Sequence, residues 1–267
     1  MTKISILTIS YNQDKYLREC LDSVLRQDFD DWELFVIDPG STDLSRMIAL
    51  EYSELDSRVR CIFEEDLGPA DGLNKGLRAA QGEIVGCLNS DDLYREFTFR
   101  EVVEIFQKES EADCIYSHGL ILESGRFRFQ SSDKFSAARY FTKRGLVMQQ
   151  STFFRRSSLA RLDVWFNAEN KSSWDGELLL DLYSRGGKFK KVFGCWGIFR
   201  IYPQSITGSK RLQELTRGEH SRMLSQQVLG GLRLSIAGRL VALSGIYSIY
   251  RRLRNIYLQL MVGRERM

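Results

Sequence analysis

Two adjacent carboxylates follow an apolar run and are the residues best suited to carry chemistry. Asp91 and Asp92 stand just after the apolar stretch 84–88. Neighbouring carboxylates repel each other, so a positive group is expected beside them. Mg²⁺ or Mn²⁺ suits one or two carboxylates together with phosphate oxygens. The pair therefore predicts a divalent cation that binds a diphosphate, with a helix cap as the alternative interpretation.

Other kinds of chemistry are disfavoured by what the sequence lacks. It has two histidines, His118 and His220, which is unfavourable for a histidine-rich zinc site or a serine–histidine triad. Its five cysteines show no Cys-x-x-Cys spacing, so we interpret them as reduced core thiols of a cytosolic protein. The glycine-rich loops of phosphate-loop nucleotidases and of dinucleotide dehydrogenases are both absent. Carboxylates are thus left to carry catalysis.

The hydrophobic pattern predicts the elements that position these carboxylates. Strands are predicted at 4–10, 33–38, 59–64 and 83–89, and helices at 14–27, from a Ser41 cap to 52, from 69 to just before Gly82, and at 97–108. This alternation favours a parallel sheet with helices on both faces. After about residue 112 the pattern becomes mixed α+β, with short strands predicted at 114–116, 120–122, 127–129 and 151–154. A helix at 175–184 and a long strand-like run at 189–201 follow, and the pattern is helical from 211 onward.

Polar side chains gather where the predicted parallel strands end. The segments 8–12, 38–43 and 89–92 follow three of these strands and are rich in acidic, amide and hydroxyl groups. Ligands of open parallel sheets bind beyond the carboxyl ends of the strands. One such turn is unremarkable, but several on one edge indicate a binding site.

Seven motifs occur in order along roughly residues 1–210. They are ISILTISYN at 4–12, VIDPGSTD at 36–43, DGLNKG at 71–76, GCLNSDD at 86–92, QSTFFRR at 150–156, WDGEL at 174–178 and FRIYP at 199–203. With these motifs the chain resembles a family 2 glycosyltransferase of the GT-A fold, an inverting enzyme that uses a nucleotide sugar.

The resemblance implies a Rossmann-like, mostly parallel α/β sheet flanked by helices, with a mixed α+β acceptor half and a helical C-terminal extension. We expect a nucleotide-sugar-binding half at 1–112, an acceptor-binding and catalytic-base half of the same domain at 113–210, and a basic amphipathic extension at 211–267.

The resemblance also implies a role for each matching residue. The nucleotide base and ribose are expected to contact Thr8, Tyr11 and Asp38, and the nucleotide-sugar pocket is expected to be lined by Asp71 and Lys75. Asp91 is expected to touch the ribose or the sugar, and Asp92 to bind the metal that bridges the diphosphate. Asp175 is expected to act as the catalytic base. A cation opposes the charge of the leaving diphosphate, and a carboxylate takes the proton of the attacking hydroxyl. The expected cofactor is Mn²⁺ or Mg²⁺.

The expected reaction moves a sugar from a nucleoside diphosphate, with UDP favoured, to a hydroxyl of a glycan or lipid-linked acceptor in polysaccharide or glycoconjugate synthesis. One alternative is a sugar nucleotidyltransferase, but the segment 11–14 supplies no triphosphate-binding loop. The other is an inactive binding module on the GT-A fold, which intact Asp38, Asp92 and Asp175 disfavour.

Three positions depart from the family pattern. Pro39 stands where a second Asp is common, Gln149 where many relatives have His, and Tyr202 where many have the His of an Arg-x-His-Pro segment. Tyr202 puts in doubt whether the following loop closes on the diphosphate in the usual way. Neutral drift is the alternative interpretation of each change.

The charge is concentrated at the C-terminus. The formal net charge is +3, but residues 211–267 hold ten arginines, no lysine and three glutamates, a balance of +7. Tyrosines and leucines recur there at helical spacing from Leu243 to Leu260. A basic amphipathic helix fits an anionic membrane surface, and packing on the body or in a homodimer stays the alternative. Neither a signal peptide nor a membrane-spanning segment is expected, so we predict a cytoplasmic protein. If the C-terminal helix binds a membrane, the protein is expected to be peripheral on its inner face. No nucleic-acid partner is expected.

Overall fold

Four strand–helix units form the first half of the chain in the computed structural model, which describes residues 4–142, 144–205, 209, 213–229 and 255. These units are β1 (Ile4–Ile9), α1 (Asp14–Leu25), β2 (Trp32–Ile37), α2 (Ser45–Leu55), β3 (Val59–Ile62), α3 (Pro69–Ala79), β4 (Ile84–Cys87) and, after the short strand β5 (Leu93–Tyr94), α4 (Thr98–Lys108). Strands β3, β2, β1 and β4 lie side by side in that order and are parallel. Their carboxyl ends therefore meet at one edge, as the sequence predicts.

The second half of the chain continues the same sheet. Its elements are β6 (Cys114–Glu123), β7 (Arg126–Gln130), α5 (Ala137–Phe141), a 3₁₀ turn (Gln149–Ser151), β8 (Thr152–Arg155), α6 (Arg156–Leu159), α7 (Trp174–Ser184), β9 (Phe189–Ile201) and α8 (Gln213–Leu229). Strand β8 lies between β4 and β6 and is antiparallel to both. Strand β9 follows β6 in parallel and pairs with β5 at the far side. The sheet is therefore mixed and runs without a break across residue 112.

The strands separate two apolar layers because successive side chains point to opposite faces. Ile6, Val36 and Ile84 pack on one face with α1, α2 and α4. Leu7 and Ile37 pack on the other face with α3 and α7. Helices cover both faces of the sheet in this half, which explains why β1 and β2 are apolar almost throughout.

Three details differ from the sequence prediction. Helix α2 begins at Ser45 rather than after Ser41, because Ser41 is held outside the helix: its N–H donates to Asp38 Oδ1 and its hydroxyl accepts from the N–H of Asn12. Strand β6 is one long strand where two short ones were expected. The two-residue strand β5 was not predicted, because only its pairing with the distant strand β9 defines it as a strand.

Candidate active site

Asp38 shapes the nucleotide edge of the sheet. It follows β2, is 1% exposed, and its Oδ1 accepts from the N–H groups of Gly40 (2.9 Å) and Ser41 (2.7 Å). The Nε of Arg46 lies 3.6 Å from the same oxygen. Its other oxygen, Oδ2, is buried without a hydrogen-bond partner in the described part of the chain. A buried orphan acceptor is costly unless a ligand donates to it, so Asp38 fits a binding role.

The loop after β1 is joined to the loop after β2. Asn12 adopts the left-handed conformation (φ +52°), which lets its Oδ1 accept from the N–H of Thr42 at 2.9 Å. Thr8 is buried at the end of β1, whereas Tyr11 is 60% exposed. Thr8, Tyr11 and Asp38 therefore lie on two neighbouring strand ends, with Tyr11 presenting its ring to solvent.

Asp71 and Lys75 both lie on α3 and are both engaged by the segment before that helix. Asp71 Oδ2 accepts from the N–H of Leu67 at 3.1 Å. Lys75 donates to the carbonyl of Glu65 and lies 3.6 Å from the carboxylate of Glu64. In this arrangement the two side chains order the segment 64–68 beside the strand edge.

Asp92 is fully buried, and protein donors occupy both of its oxygens. Oδ1 accepts from the N–H of Arg200 at 2.9 Å, and Oδ2 accepts from Gln150 Nε2 (2.7 Å) and Asn89 Nδ2 (3.1 Å). The pKa of Asp92 lies well above its usual range, mainly because the carboxyl is buried and secondly because of the neighbouring Asp91 charge. Asp92 thus joins the end of β4 to the 3₁₀ turn and to β9, and a cation would have to displace these donors.

Asp91 is more accessible than its neighbour. Its Oδ2 accepts from the Tyr202 hydroxyl at 3.0 Å, and its backbone carbonyl accepts from Arg200 Nε at 3.0 Å. Its Oδ1 has no side-chain partner among the described residues. Burial raises the pKa of Asp91 as well. A hard cation prefers an open carboxylate oxygen, so the residues present fit a divalent cation at Asp91 better than at Asp92.

The described residues contain no group of three or more His, Cys, Asp or Glu side chains that could hold a metal by themselves.

Two departures from the family pattern lie at this edge. Gln149 donates from Nε2 to the carbonyl of Cys87 at 2.7 Å and lies 3.4 Å from Asn89 Nδ2. Tyr202 packs on the ring of Tyr16 with centroids 4.6 Å apart, and its hydroxyl also lies 3.3 Å from Gln13 Oε1. Tyr202 therefore closes over Asp91 and ties the end of β9 to the loop after β1.

Asp175 lies in the first turn of α7 beside an apolar cavity. The cavity is partly open to solvent and is lined by Val147, Phe154 and Trp174 among others. Burial raises the pKa of Asp175, although the N–H groups of the first helical turn oppose the shift. No side chain of the described residues donates to it. An unpaired carboxylate in apolar surroundings suits a proton acceptor.

The cavity connects Asp175 to the end of β4. Cys87, the last residue of β4, lines it together with Gln149. Burial, followed by the Asp175 charge, raises the pKa of the Cys87 thiol. Cys87, which precedes Asp91 by four residues in the chain, therefore lines the same cavity as Asp175.

Sequence reasoning assigned no role to several residues that build this site. Gln150 and Arg200 occur within the quoted motifs, but nothing in the sequence shows that both contact Asp92. Glu19, which pairs with Arg200 at 2.6 Å, lies on α1 outside any motif. Only the tertiary pairing of β9 with β6 and β5 brings them together.

Comparison with known proteins identifies the family of the chain. The family model of glycosyl transferase family 2 matches residues 5–162. The chain belongs to this family. It is 26% identical over 217 residues to the uncharacterized glycosyltransferase EpsJ of Bacillus subtilis, covering 76% of this chain and 62% of EpsJ. It is 32% identical over 240 residues to chondroitin synthase of Escherichia coli, covering 84% of this chain and 32% of that enzyme. The chain thus spans less than two thirds of either relative.

Solved structures show the same fold. S. aureus TarS 1–349 in complex with UDP superposes with a TM-score of 0.66 at 22% identity, covering 87% of this chain and 67% of TarS. The mannosyltransferase PcManGT from Pyrobaculum calidifontis, in complex with GDP-Man and Mn²⁺, gives a TM-score of 0.60 at 17% identity and covers 96% of this chain and 84% of that one. The fold is GT-A, as expected from the sequence. Within the described residues no helix has the length and apolar character needed to span a membrane.

Proposed function

We propose that this glycosyltransferase transfers a sugar, with inversion, from a nucleoside-diphosphate sugar to a hydroxyl of a glycan or lipid-linked acceptor. One observation carries the proposal: the Asp175 carboxylate, which has no side-chain donor among the described residues, lines a cavity that reaches the end of β4, the strand that precedes Asp91. The TarS complexes with UDP and with UDP-GlcNAc support a UDP-linked donor. The PcManGT complex supports a nucleotide sugar in general.

The donor lies, in this proposal, along the ends of β1, β2 and β4. The orphan oxygen of Asp38 accepts a hydrogen bond from the base or ribose. The exposed Tyr11 ring covers the base, and Thr8 lies beneath it. Asp71 and Lys75 hold the segment 64–68 at the side of the nucleotide sugar.

Asp91 is proposed to hold the divalent cation, and Asp92 to hold the Asp91 backbone in place. When bound, the cation neutralises the charge that develops on the leaving diphosphate. Asp92 contributes through its three hydrogen bonds, which fix the turn after β4 against β9 and the 3₁₀ turn. This assignment moves the metal-binding role from Asp92, to which the family resemblance gives it, to Asp91.

Asp175 is proposed to act as the base. Its carboxylate takes the proton of the acceptor hydroxyl while the hydroxyl oxygen bonds to the anomeric carbon. The bond from that carbon to the diphosphate oxygen breaks on the opposite side, and the electron pair leaves with the nucleoside diphosphate. The configuration inverts, and no covalent enzyme intermediate forms. The raised pKa of Asp175 makes it a better proton acceptor than an ordinary aspartate.

A donor screen tests the proposal. Purified protein with Mn²⁺ is incubated with a panel of nucleotide sugars, with and without mixed glycan acceptors, and released nucleoside diphosphate is measured. We expect release from one donor class, lost in Asp175→Asn. Release of pyrophosphate from a nucleoside triphosphate and a sugar phosphate would instead indicate a nucleotidyltransferase. Absence of both activities with retained UDP binding would support an inactive binding module.

The C-terminal segment is proposed to place the enzyme at the cytoplasmic face of a membrane. Its charge and its apolar repeat support this, although the residues that carry the repeat, 243–260, lie outside the described residues apart from Asn255. Asn255 Oδ1 accepts from the N–H of Ser131 at 3.2 Å, which supports packing of at least this point on the body. A homodimer through this segment is the competing proposal.

A further inference from the structure

Side chains of helix α8 contact the helix that carries Asp175, although α8 lies beyond the stretch matched by the family model. Met223 of α8 is 2% exposed and belongs to the same apolar cluster as Leu178, Leu179 and Leu182 of α7. A buried methionine inside this cluster makes α8 part of the folded body.

Arg222 of α8 reaches a buried carboxylate two residues after Asp175. Its two terminal nitrogens donate to the two oxygens of Glu177 at 2.8 Å and 2.6 Å. The side chain of Glu177 is 8% exposed. Two amides from the loop before α7 also donate to Glu177, Asn167 at 3.0 Å and Asn170 at 2.6 Å. A two-pronged guanidinium–carboxylate contact fixes orientation as well as distance.

His220 of α8 supports the residue directly after Asp175. Its Nε2 lies 3.1 Å from the hydroxyl of Tyr140, and the two rings are 5.0 Å apart. The Tyr140 hydroxyl in turn packs on Gly176 so closely that a Cβ atom there would collide with it. Residue 176 is therefore a glycine because the phenol needs that space.

We propose that α8 is the positioning element of the catalytic base, with Arg222 acting through Glu177 and His220 acting through Tyr140 and Gly176. The two contacts hold the residues that follow Asp175 in the first turn of α7, and thereby set where its carboxylate meets the acceptor hydroxyl. The inference rests on the proposed role of Asp175. Misplacing a reacting group by about 1 Å can cost up to about 100-fold in rate.

The test compares variants of the Arg222–Glu177 pair with a control variant on α8, all in full-length protein. Arg222→Met leaves the buried Glu177 carboxylate without this cation, which threatens folding, so the decisive variant is the double change Glu177→Gln with Arg222→Met, which removes both charges of that pair. The second partner of Arg222, Glu219 at 2.7 Å, loses the same cation in both variants. Arg222→Lys keeps the charge but not the two-pronged contact. Arg217→Met, at an exposed arginine of the same helix, is the matched control. Folding is followed by thermal unfolding, donor binding by calorimetry with UDP and Mn²⁺, and turnover by nucleoside diphosphate release.

We expect the double variant to fold and to bind UDP within about twofold of the original protein, while kcat falls about 10- to 100-fold. Arg222→Lys should recover part of the loss, and Arg217→Met should lose nothing. In an Asp175→Asn background the double variant should cost no further kcat, because a base that is absent cannot be misplaced.

Two results overturn the inference. One is a folded double variant whose kcat stays within twofold of the original, and the other is a full multiplicative loss in the Asp175→Asn background. If the proposed role of Asp175 is wrong, Asp175→Asn alone leaves turnover intact. If the proposed sugar transfer is wrong, the original protein releases no nucleoside diphosphate from any donor.

Discussion

Asp91 and Asp92 are neighbours in sequence but have different surroundings. Asp92 is enclosed by Asn89, Gln150 and the backbone of Arg200, whereas Asp91 keeps one oxygen without a side-chain partner among the described residues. An Asp-Asp pair after an apolar strand predicts a cation site, but it cannot say which carboxylate faces the ligand. That choice depends on donors that lie 58 and 108 residues away in sequence.

The two aspartates should respond differently to the same substitution. Asp91→Asn should lower the manganese-dependent affinity for UDP at least tenfold, because an amide is a poor ligand for a hard cation. Asp92→Asn should keep the manganese dependence but lose about 1–3 kcal/mol of stability, because one buried donor is left unpaired. Calorimetry with UDP, with and without Mn²⁺, measures the first effect and thermal unfolding the second. If only Asp92→Asn loses the manganese dependence, the family's original assignment is correct.

Asp175→Asn should separate catalysis from binding. Only the proton acceptor is lost, so turnover should fall by about two to four orders of magnitude while UDP affinity stays near that of the original protein. Stopped assays of nucleoside diphosphate release and calorimetry measure the two quantities. A loss of less than a few-fold would mean that another residue takes the proton.

The pH dependence of turnover should reflect the same carboxylate. Burial raises the pKa of Asp175 above the ordinary aspartate value of 3.8. A base works only when deprotonated, so kcat should fall as the pH is lowered through this raised pKa and level off above it. A profile that stays flat well down to pH 4 would contradict the assignment.

At the scale of elements, the local hydrophobic pattern predicts which helices form, and tertiary contacts decide at which residue a helix begins. Helix α1 and helix α4 begin within one residue of their predicted starts because their apolar faces are long and regular. Helix α2 starts four residues after the Ser41 cap, because the loop after β1 binds the Ser41 hydroxyl first. The Ser41 cap is a signal in the local sequence, which does not show that Asn12, 29 residues earlier, donates to the same hydroxyl.

Helix α7 contains a carboxylate that opposes folding at neutral pH. Burial, and after it the charge of Glu177, raise the pKa of Asp181 to about 6. A raised folded-state pKa means that the native state binds the proton more tightly, so stability falls as pH rises from about 4 to about 6. Asp181→Asn should therefore raise the free energy of unfolding at pH 8 by about 1 kcal/mol, after allowance for partial exposure, with no gain below pH 4.

Urea unfolding at several pH values measures this difference. Asp30→Asn, at a fully exposed aspartate, is the matched control and should change little at any pH. A gain for Asp181→Asn that is the same at pH 3.5 and pH 8 would show that the effect does not come from the carboxylate charge.

At the scale of the whole molecule, the position of β8 is the feature that sequence could not supply. Strand β8 enters between β4 and β6, although 64 residues separate the end of β4 from its start. The alternation of strands and helices predicts the parallel half and the site edge. It does not predict the antiparallel insertion, which places the 3₁₀ turn with Gln149 and Gln150 against Asn89 and Asp92.

The C-terminal region divides into a part that belongs to the body and a part that stays a prediction. Helix α8 is described from Gln213 to Leu229, and Met223 and Arg222 attach it to the body at α7. A chain cut after Ser209 would therefore lose core contacts as well as the basic tail. The informative cut is after Leu229, which keeps α8 and removes most of the arginine-rich segment.

Membrane docking by that tail should be visible with liposomes. Full-length protein should co-sediment with phosphatidylglycerol liposomes at low salt, and binding should weaken as salt is raised. Each arginine near an anionic surface contributes about 1 kcal/mol, so replacing Arg251, Arg252 and Arg254 with glutamine should weaken binding by about 100-fold. The chain cut after Leu229 should not bind, while its donor affinity, which depends on the strand edge, stays unchanged. If the cut chain binds as well as the full chain, or if full-length protein ignores the liposomes and becomes a monomer only on cutting, the tail is a packing or dimer element.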